Sequence, residues 1–296
     1  MFQRIKKQLI SRFALLSRTK KLYRFDHIWR WLLNPDKNTK SHINEILFIG
    51  NHFWHINTRS YLEWTLFFYG VYEEQIQQLF KQYLIPGDIA LDVGSNIGIH
   101  TLCMAKLVGP SGIVISFEPH KDIYTRQVNN LTLNQATNVK ALQIGLSNKN
   151  ATAFLEQFNT TESSNQGTSA IVSQHTINTL QIQVARLDDL VATILPSSTK
   201  RIKVIKVDIE GHEEAFFEGA IHTIEQHRPV IIFENSKNFL TDPSSVIKQH
   251  LSDHKYTFFG INFNSLHPIN LKTTNQLPCY RVLALPNIDT KKENFK

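Results

Sequence analysis

Cysteine is scarce: the 296 residues include two, Cys103 and Cys279, far apart and each in apolar surroundings. That spacing builds neither a disulfide framework nor a zinc site, and it points to a reducing compartment, the cytoplasm. Long apolar runs are also missing. The longest, residues 202–209, 229–233 and 281–285, are strand-sized and fall short of the roughly 18–20 residues that a membrane-spanning helix needs. Acid is missing from residues 1–24, which hold eight Lys and Arg. Setting that segment aside reduces a net charge of +7 to 24 basic against 25 acidic residues, a body charge of −1. A near-neutral body offers no broad basic footprint to a phosphate backbone, so a nucleic acid is not the expected partner.

What is present begins with that basic segment. Phe2, Ile5, Leu9, Phe13 and Leu16 recur near helical spacing, which gives one apolar face between cationic flanks. A basic amphipathic helix of this kind suits peripheral contact with anionic lipid. A solvated or domain-packed helix and an organellar transit peptide fit the same composition. Arg12 and Arg18 interrupt any secretory h-region.

Residues 25–84 read as an added unit: two short strands around the Gly50-Asn51 turn, then the helical stretch "SYLEWTLFFYGVYEEQIQQLFKQYL". From residue 85 to 286 the pattern is strand–helix alternation. "IALDV" precedes a helix over about 97–108, "GIVISFE" precedes a helix over about 120–134, and "VKALQIG" is the third strand. Residues 150–186 interrupt the alternation as a β insertion. "IKVIKVD", a helix over about 212–227, "PVIIFE", "YTFFGIN" and "YRVLALP" then bring the count to about seven strands. Such alternation argues for an α/β domain with a mostly parallel sheet, and residues 287–296 for a loose tail.

The chemistry concentrates at strand ends. Asp92, Glu118, Asp208 and Glu234 each stand at the carboxyl end of an expected strand, where open α/β sheets bind ligands. "LDVGSNIGIHT" turns from the first strand into a helix through Gly94 and Gly98. Without a Cβ, such residues allow close approach of ligand or neighbouring backbone. The turn lacks the middle glycine of the G-x-G-x-x-G dinucleotide fingerprint, and its acid two residues before Gly94 disfavours a pyrophosphate. A cationic amino-acid nucleoside fits instead. For S-adenosyl-L-methionine, Asp92 would meet the ammonium side and Glu118 the ribose hydroxyls. An ordinary strand-to-helix turn is the plain alternative, which Glu118-Pro119 at the end of the next strand makes less apt.

These segments, with "GIVISFEPH", "NNLTLN", "GLSNKNATAFL" and "IKVDIEGHEEAFFEGA", resemble the FkbM family of S-adenosylmethionine-dependent methyltransferases over about residues 85–240. The resemblance implies a class I methyltransferase fold, Rossmann-like, with seven strands and the last antiparallel, and O-methylation of a sugar or other natural-product hydroxyl. It implies a cofactor turn of Asp92, Gly94, Ser95, Asn96 and Gly98, with Glu118 on the ribose and "DIEGHE" beside the transferable methyl. Ser95 stands where the family commonly has alanine, and His212 where a small residue is commoner.

Methyl transfer needs an acceptor hydroxyl aligned behind the methyl and a base to take its proton. Asp208, Glu210 and His212 are the candidate catalytic residues. No metal is expected, although a divalent ion on Asp208, Glu210 or Glu234 polarising a substrate diol is an alternative, and helix capping by some of these acids is another. Lys206 reads as an ion-pairing strand residue, and His100 as facing the sheet, with the pocket as the alternative. The aromatic group Trp54, Tyr61, Trp64, Phe67, Phe68 and Tyr69 reads as core of the added unit, or as a wall for a sugar. A nucleic-acid or protein methyltransferase on the same fold is the alternative substrate class, but the Asn/Asp-Pro-Pro-aromatic stretch of exocyclic-amine methylation is absent after the fourth strand, and neither cysteine is placed as a C5 nucleophile. A non-catalytic cofactor-binding module remains the reading of a different class, and the full set of rim acids opposes it.

Overall fold

The computed structural model describes residue 14 and residues 43–156, 171–172, 176–195, 200–235, 239–262, 265–269 and 280–287. The basic segment 1–24, Cys279 and residues 288–296 of the tail lie outside the described residues, apart from Ala14.

Local sequence chemistry sets the first unit. Gly50 and Asn51 both take positive φ, 60° and 72°, as a tight two-residue hairpin loop requires. They join β1 (Asn44–Ile49) to β2 (His52–Asn57) with Ile49 opposite His52. The helical stretch that follows is two helices. Helix α1 (Tyr61–Tyr69) ends because Gly70 turns left-handed at φ 77°, its N–H closing on the Leu66 carbonyl, and α2 (Glu74–Tyr83) starts afresh. Trp54, Trp64, Phe67 and Phe68 are buried together beneath the hairpin. The aromatic cluster is therefore core, with Tyr61 as the exception described below.

The main sheet follows the expected alternation. Strands β3 (Ile89–Val93), β4 (Ile113–Phe117) and β5 (Val139–Leu142) are separated by α3 (Ile99–Val108) and α4 (Lys121–Leu133). After the insertion and α5 (Leu187–Ile194) come β10 (Ile202–Val207), α6 (Glu213–Glu218), α7 (Ile221–His227), β11 (Val230–Glu234), α8 (Val246–Asp253), β12 (Tyr256–Asn262), β13 (Ser265–Pro268) and β14 (Arg281–Pro286). The spatial order is β13-β12-β14-β11-β10-β3-β4-β5. Strands β11, β10, β3, β4 and β5 pair in parallel, while β14 runs antiparallel between β11 and β12. This is the expected class I arrangement, a mostly parallel sheet with its last strand reversed. One strand exceeds the expectation: β13 extends the edge as a hairpin with β12, so the sheet has eight strands rather than seven.

Both sheet faces are covered, which explains the unbroken apolar runs. Leu91, Ile205, Ile231 and Phe233 pack with Phe216 and Phe217 on one face; Ala90, Val114, Val204 and Ile232 pack with Phe80 and Met104 on the other. Two further differences have local causes. The strand expected over 139–145 divides, because Gly145–Leu146 (β6) leaves the main sheet to pair with β9 (Thr179–Ala185). With β7 (Ala151–Glu156) and β8 (Ile171–Val172) these form a separate sheet in the order β6-β9-β7-β8, which is the expected β insertion. The helix expected over 212–227 is split at Gly219. A Cβ there would stand 1.9 Å from the Ser147 carbonyl oxygen, so the chain bends to pack its bare backbone on the insertion.

Sheet order reverses between β3 and β10: β4 and β5 continue to one side, β11 to the other. A crevice opens at the carboxyl ends of strands at such a point.

Candidate active site

Asp92 near the end of β3, Glu118 just past β4, Asp208 just past β10 and Glu234 closing β11 stand on one rim, at the ends of four adjacent strands. Beneath that rim lies an open cleft. It is lined by the turn Gly94–Ile97, by Glu118, Pro119 and His120, and by Lys206, Asp208, Ile209 and Glu210.

Backbone conformation shapes the turn. Gly94 has φ 74°, Asn96 49° and Gly98 92°. The N–H groups of Gly94 and Ser95 both donate to the Phe117 carbonyl, at 3.0 and 3.1 Å. A Cβ on Gly94 would lie 1.9 Å from the Asp208 carbonyl oxygen, so this glycine is required for the close passage of β10's end under the turn. Gly98 caps α3 and sits against Gln127, 3.2 Å from its Cγ to an added Cβ.

Glu118 is buried and aimed by main-chain donors: the Asn96 N–H meets Oε2 at 3.0 Å and the His120 N–H meets Oε1 at 2.9 Å. Burial pushes its carboxyl up to about 7, against those two bonds. The oxygens keep lone pairs for further donors, and a ribose diol supplies two. Asp92 is placed differently from the expected ammonium contact. It is fully buried and absent from the cleft lining; Oδ2 accepts from Thr101 Oγ1 at 2.6 Å, and Oδ1 faces Lys206 Nζ at 3.4 Å. Asp92 acts from beneath the turn, holding the Lys206 ammonium that donates to the Gly94 carbonyl at 2.9 Å.

The three candidate catalytic residues separate clearly. Asp208 Oδ2 accepts from Arg281 Nη1 at 3.0 Å and lies 3.6 Å from Lys206 Nζ. Burial alone would raise its carboxyl, but the two cations outweigh it and hold it well below the usual range. So paired, it is a weak proton acceptor. Glu210 also lines the cleft, on a left-handed backbone at φ 54°. Burial, then Asp208 and Glu213, push its carboxyl up to about 7, the range suited to a base at neutral pH. His212 points elsewhere: its Nε2 is 2.9 Å from Ser147 Oγ, at the insertion, and it does not line the cleft. Glu213 instead receives the Ile209 and Gly211 N–H groups on Oε1, both at 3.2 Å, and so pins the "DIEGHE" turn. Glu234 is buried with Oε2 unpartnered among the described residues, and burial followed by the Asp208 charge pushes it up to about 8. Among the described residues no three His, Cys, Asp or Glu side chains are grouped for a metal, and the two cations already on Asp208 oppose its use as a ligand.

Lys206 pairs as expected. His100 does not: it faces the cleft, and Nε2 lies 2.9 Å from Glu73 Oε2. Ser60, Tyr61, Leu62 and Tyr72 bring the added unit into the same wall, and Leu155 and Ile171 bring the insertion. Glu73 and Arg281 were not singled out in the sequence. Arg281, in an otherwise apolar strand, carried the one signal that could have found it.

Residues 92–258 match the model of the methyltransferase FkbM domain. The chain belongs to the FkbM methyltransferase family. It is 28% identical over 144 residues to "Methyltransferase 1" of Beauveria bassiana, covering 44% of this chain and 57% of that one. It is 27% identical over 177 residues to the hexuronic acid methyltransferase AglP of Haloferax volcanii, covering 60% of this chain and 66% of that one. The chain thus spans less than two thirds of the length of these relatives. Among solved structures, an FkbM methyltransferase from Methylobacillus flagellatus KT superposes with a TM-score of 0.42 at 16% identity, covering 70% of this chain and 50% of that one.

Proposed function

We propose that this FkbM-family chain is an S-adenosyl-L-methionine-dependent O-methyltransferase acting on a hydroxyl of a saccharide or other small polyol. The observation that carries the reading is one cleft lined by two carboxylates in different surroundings: Glu118, aimed by main-chain donors, and Glu210, set beside Asp208 and Glu213. Membership of the family and a saccharide-acting relative support it.

When bound, S-adenosyl-L-methionine supplies an electrophilic methyl group on a sulfonium. Glu118 would accept the ribose hydroxyls, and the Gly94–Gly98 turn would admit the amino-acid part. Glu210, its carboxyl raised to about 7 by burial and by Asp208 and Glu213, takes the acceptor hydroxyl's proton as the oxygen becomes the nucleophile. Asp208, kept ionised by Arg281 and Lys206, stabilises positive charge in the cleft without competing for that proton. Apolar walls from Ile144, Leu155 and Ile209 limit water. We also read the basic segment 1–24 as peripheral contact with anionic membrane.

The test is thermal. Millimolar S-adenosyl-L-methionine should raise the melting temperature of the purified chain, and Glu118→Ala should remove that rise. A wild-type protein that shows no rise ends the methyltransferase reading.

A further inference from the structure

The cleft's charges are joined by a ladder running across five elements, β3, β10, β14, α2 and α3. Asp92 faces Lys206 (3.4 Å), Lys206 faces Asp208 (3.6 Å), and Asp208 accepts from Arg281 (3.0 Å). Arg281 Nη2 then pairs with Glu73 Oε1, and Glu73 Oε2 meets His100 Nε2 at 2.9 Å. Every member has a side chain no more than 17% exposed. Glu73 comes from the added unit, at the start of α2, on a left-handed backbone at φ 49°. Non-glycine residues hold such a conformation when surrounding contacts fix it. Arg281 comes from β14 and has a carboxylate on each side.

We propose that Glu73 is a positioning residue, which holds Arg281 on Asp208 and His100 against the cleft wall and so sets the charge that faces Glu210. The inference rests on the reading of Glu210 as proton acceptor. The titratable and charged groups facing Glu210 are Asp208 and Lys206 from β10 and its end, Glu213 from α6, Glu234 from β11, Arg281 from β14, and Tyr280 just before β14. Asp208 and Glu213 raise the proton affinity of Glu210, and Arg281 and Lys206 lower it. Glu73 neutralises part of Arg281. With Glu73 neutral, the full guanidinium charge acts on Glu210, whose affinity for a proton falls. With Arg281 neutral, Asp208 is opposed by Lys206 alone and the affinity rises. A residue that merely braced the fold would not give shifts of opposite sign.

The measurement needs no acceptor. Side-chain ¹³C-labelled glutamate is titrated by NMR in the full chain, with the Glu210 signal assigned by its loss in Glu210→Gln. Glu73→Gln should move the Glu210 midpoint down by about half a unit or more, and Arg281→Gln should move it up. Glu73→Asp, which keeps the charge, should restore most of the wild-type midpoint. In the Arg281→Gln background, Glu73→Gln should have less than half of its single-variant effect. A midpoint that is unmoved in Glu73→Gln, or that shifts the same way in both single variants, overturns the inference, provided thermal melts show folded protein. Should Glu73→Gln fail to fold, Glu73→Asp and Arg281→Gln still decide the matter: an unmoved midpoint in Arg281→Gln is the overturning result. Calorimetric binding of S-adenosyl-L-methionine to the wild type is run alongside. Its failure removes the methyltransferase reading, whereas normal binding with unmoved midpoints removes the ladder's role alone.

Discussion

At Gly94 a methyl group would occupy the place of a carbonyl oxygen. Gly94→Ala forces an L-residue to φ 74° and a Cβ to within 1.9 Å of the Asp208 oxygen, so about 2–5 kcal/mol of stability should be lost in denaturant melts. The chemical residues sort by their partners. Glu210→Gln should lower turnover by about 10²–10⁴ and leave donor affinity close to wild type, measured by calorimetry and by radiolabelled methyl transfer. His212→Ala should leave turnover within about threefold, because its ring lies at Ser147, away from the cleft. The four rim acids could be read from the sequence, since each closes a strand whose apolar run is visible. Which of them stays ionised could not. That depends on Arg281 and Lys206, and Arg281 reaches Asp208 only through the antiparallel insertion of β14.

Elements were legible where hydrophobic period and turn chemistry agreed, as in β3, whose limits match "IALDV", and in the Gly50-Asn51 hairpin. They were misjudged where tertiary packing cut a continuous pattern, at Gly70, after Leu142 and at Gly219. One of the contacts that dock the added unit is a buried carboxylate on α1. Glu63, fully buried on α1, receives Arg126 of α4 at 2.5 Å and the Asn57 N–H at 2.5 Å. Arg126→Ala strands that charge, and a loss of about 3–5 kcal/mol is expected in thermal or denaturant unfolding. A loss below about 1 kcal/mol would show that the pair does not anchor the unit. From the insertion, Leu155 is 3% exposed and lines the cleft. Leu155→Ala should weaken donor binding several-fold while the main sheet keeps its far-ultraviolet signal.

For the whole molecule, pH should act through the rim. Glu118 and Glu210 are raised to about 7 and Glu234 to about 8, each from 4.5. The folded chain therefore retains protons that the unfolded chain gives up above pH 4.5. The stability these three contribute is complete below that value and is lost as pH rises through 7 to 8. Asp208 runs the other way, lowered by its cations, so its contribution is present at neutral pH and is lost in strong acid. The melting temperature should fall between about pH 5 and pH 8.5, and Glu234→Gln should flatten the fall. A slope unchanged in that variant would show that Glu234 keeps its ordinary proton affinity. Removing residues 1–24 should release the chain from anionic vesicles in a sedimentation assay, and retained binding would rule that segment out as the anchor.

The position of β14 bears on how the molecule comes into being. As synthesis proceeds, β11 and β12 are made before the strand that must slide between them. Until residues 281–286 leave the ribosome, each of those two presents a bare flank of amide and carbonyl groups, open to mispairing with another nascent chain. Arg281, one of the two cations on Asp208, belongs to that same strand. One strand thus both completes the rim's charge pairing and closes the open flanks, and chains that stop before residue 280 should collect as insoluble material.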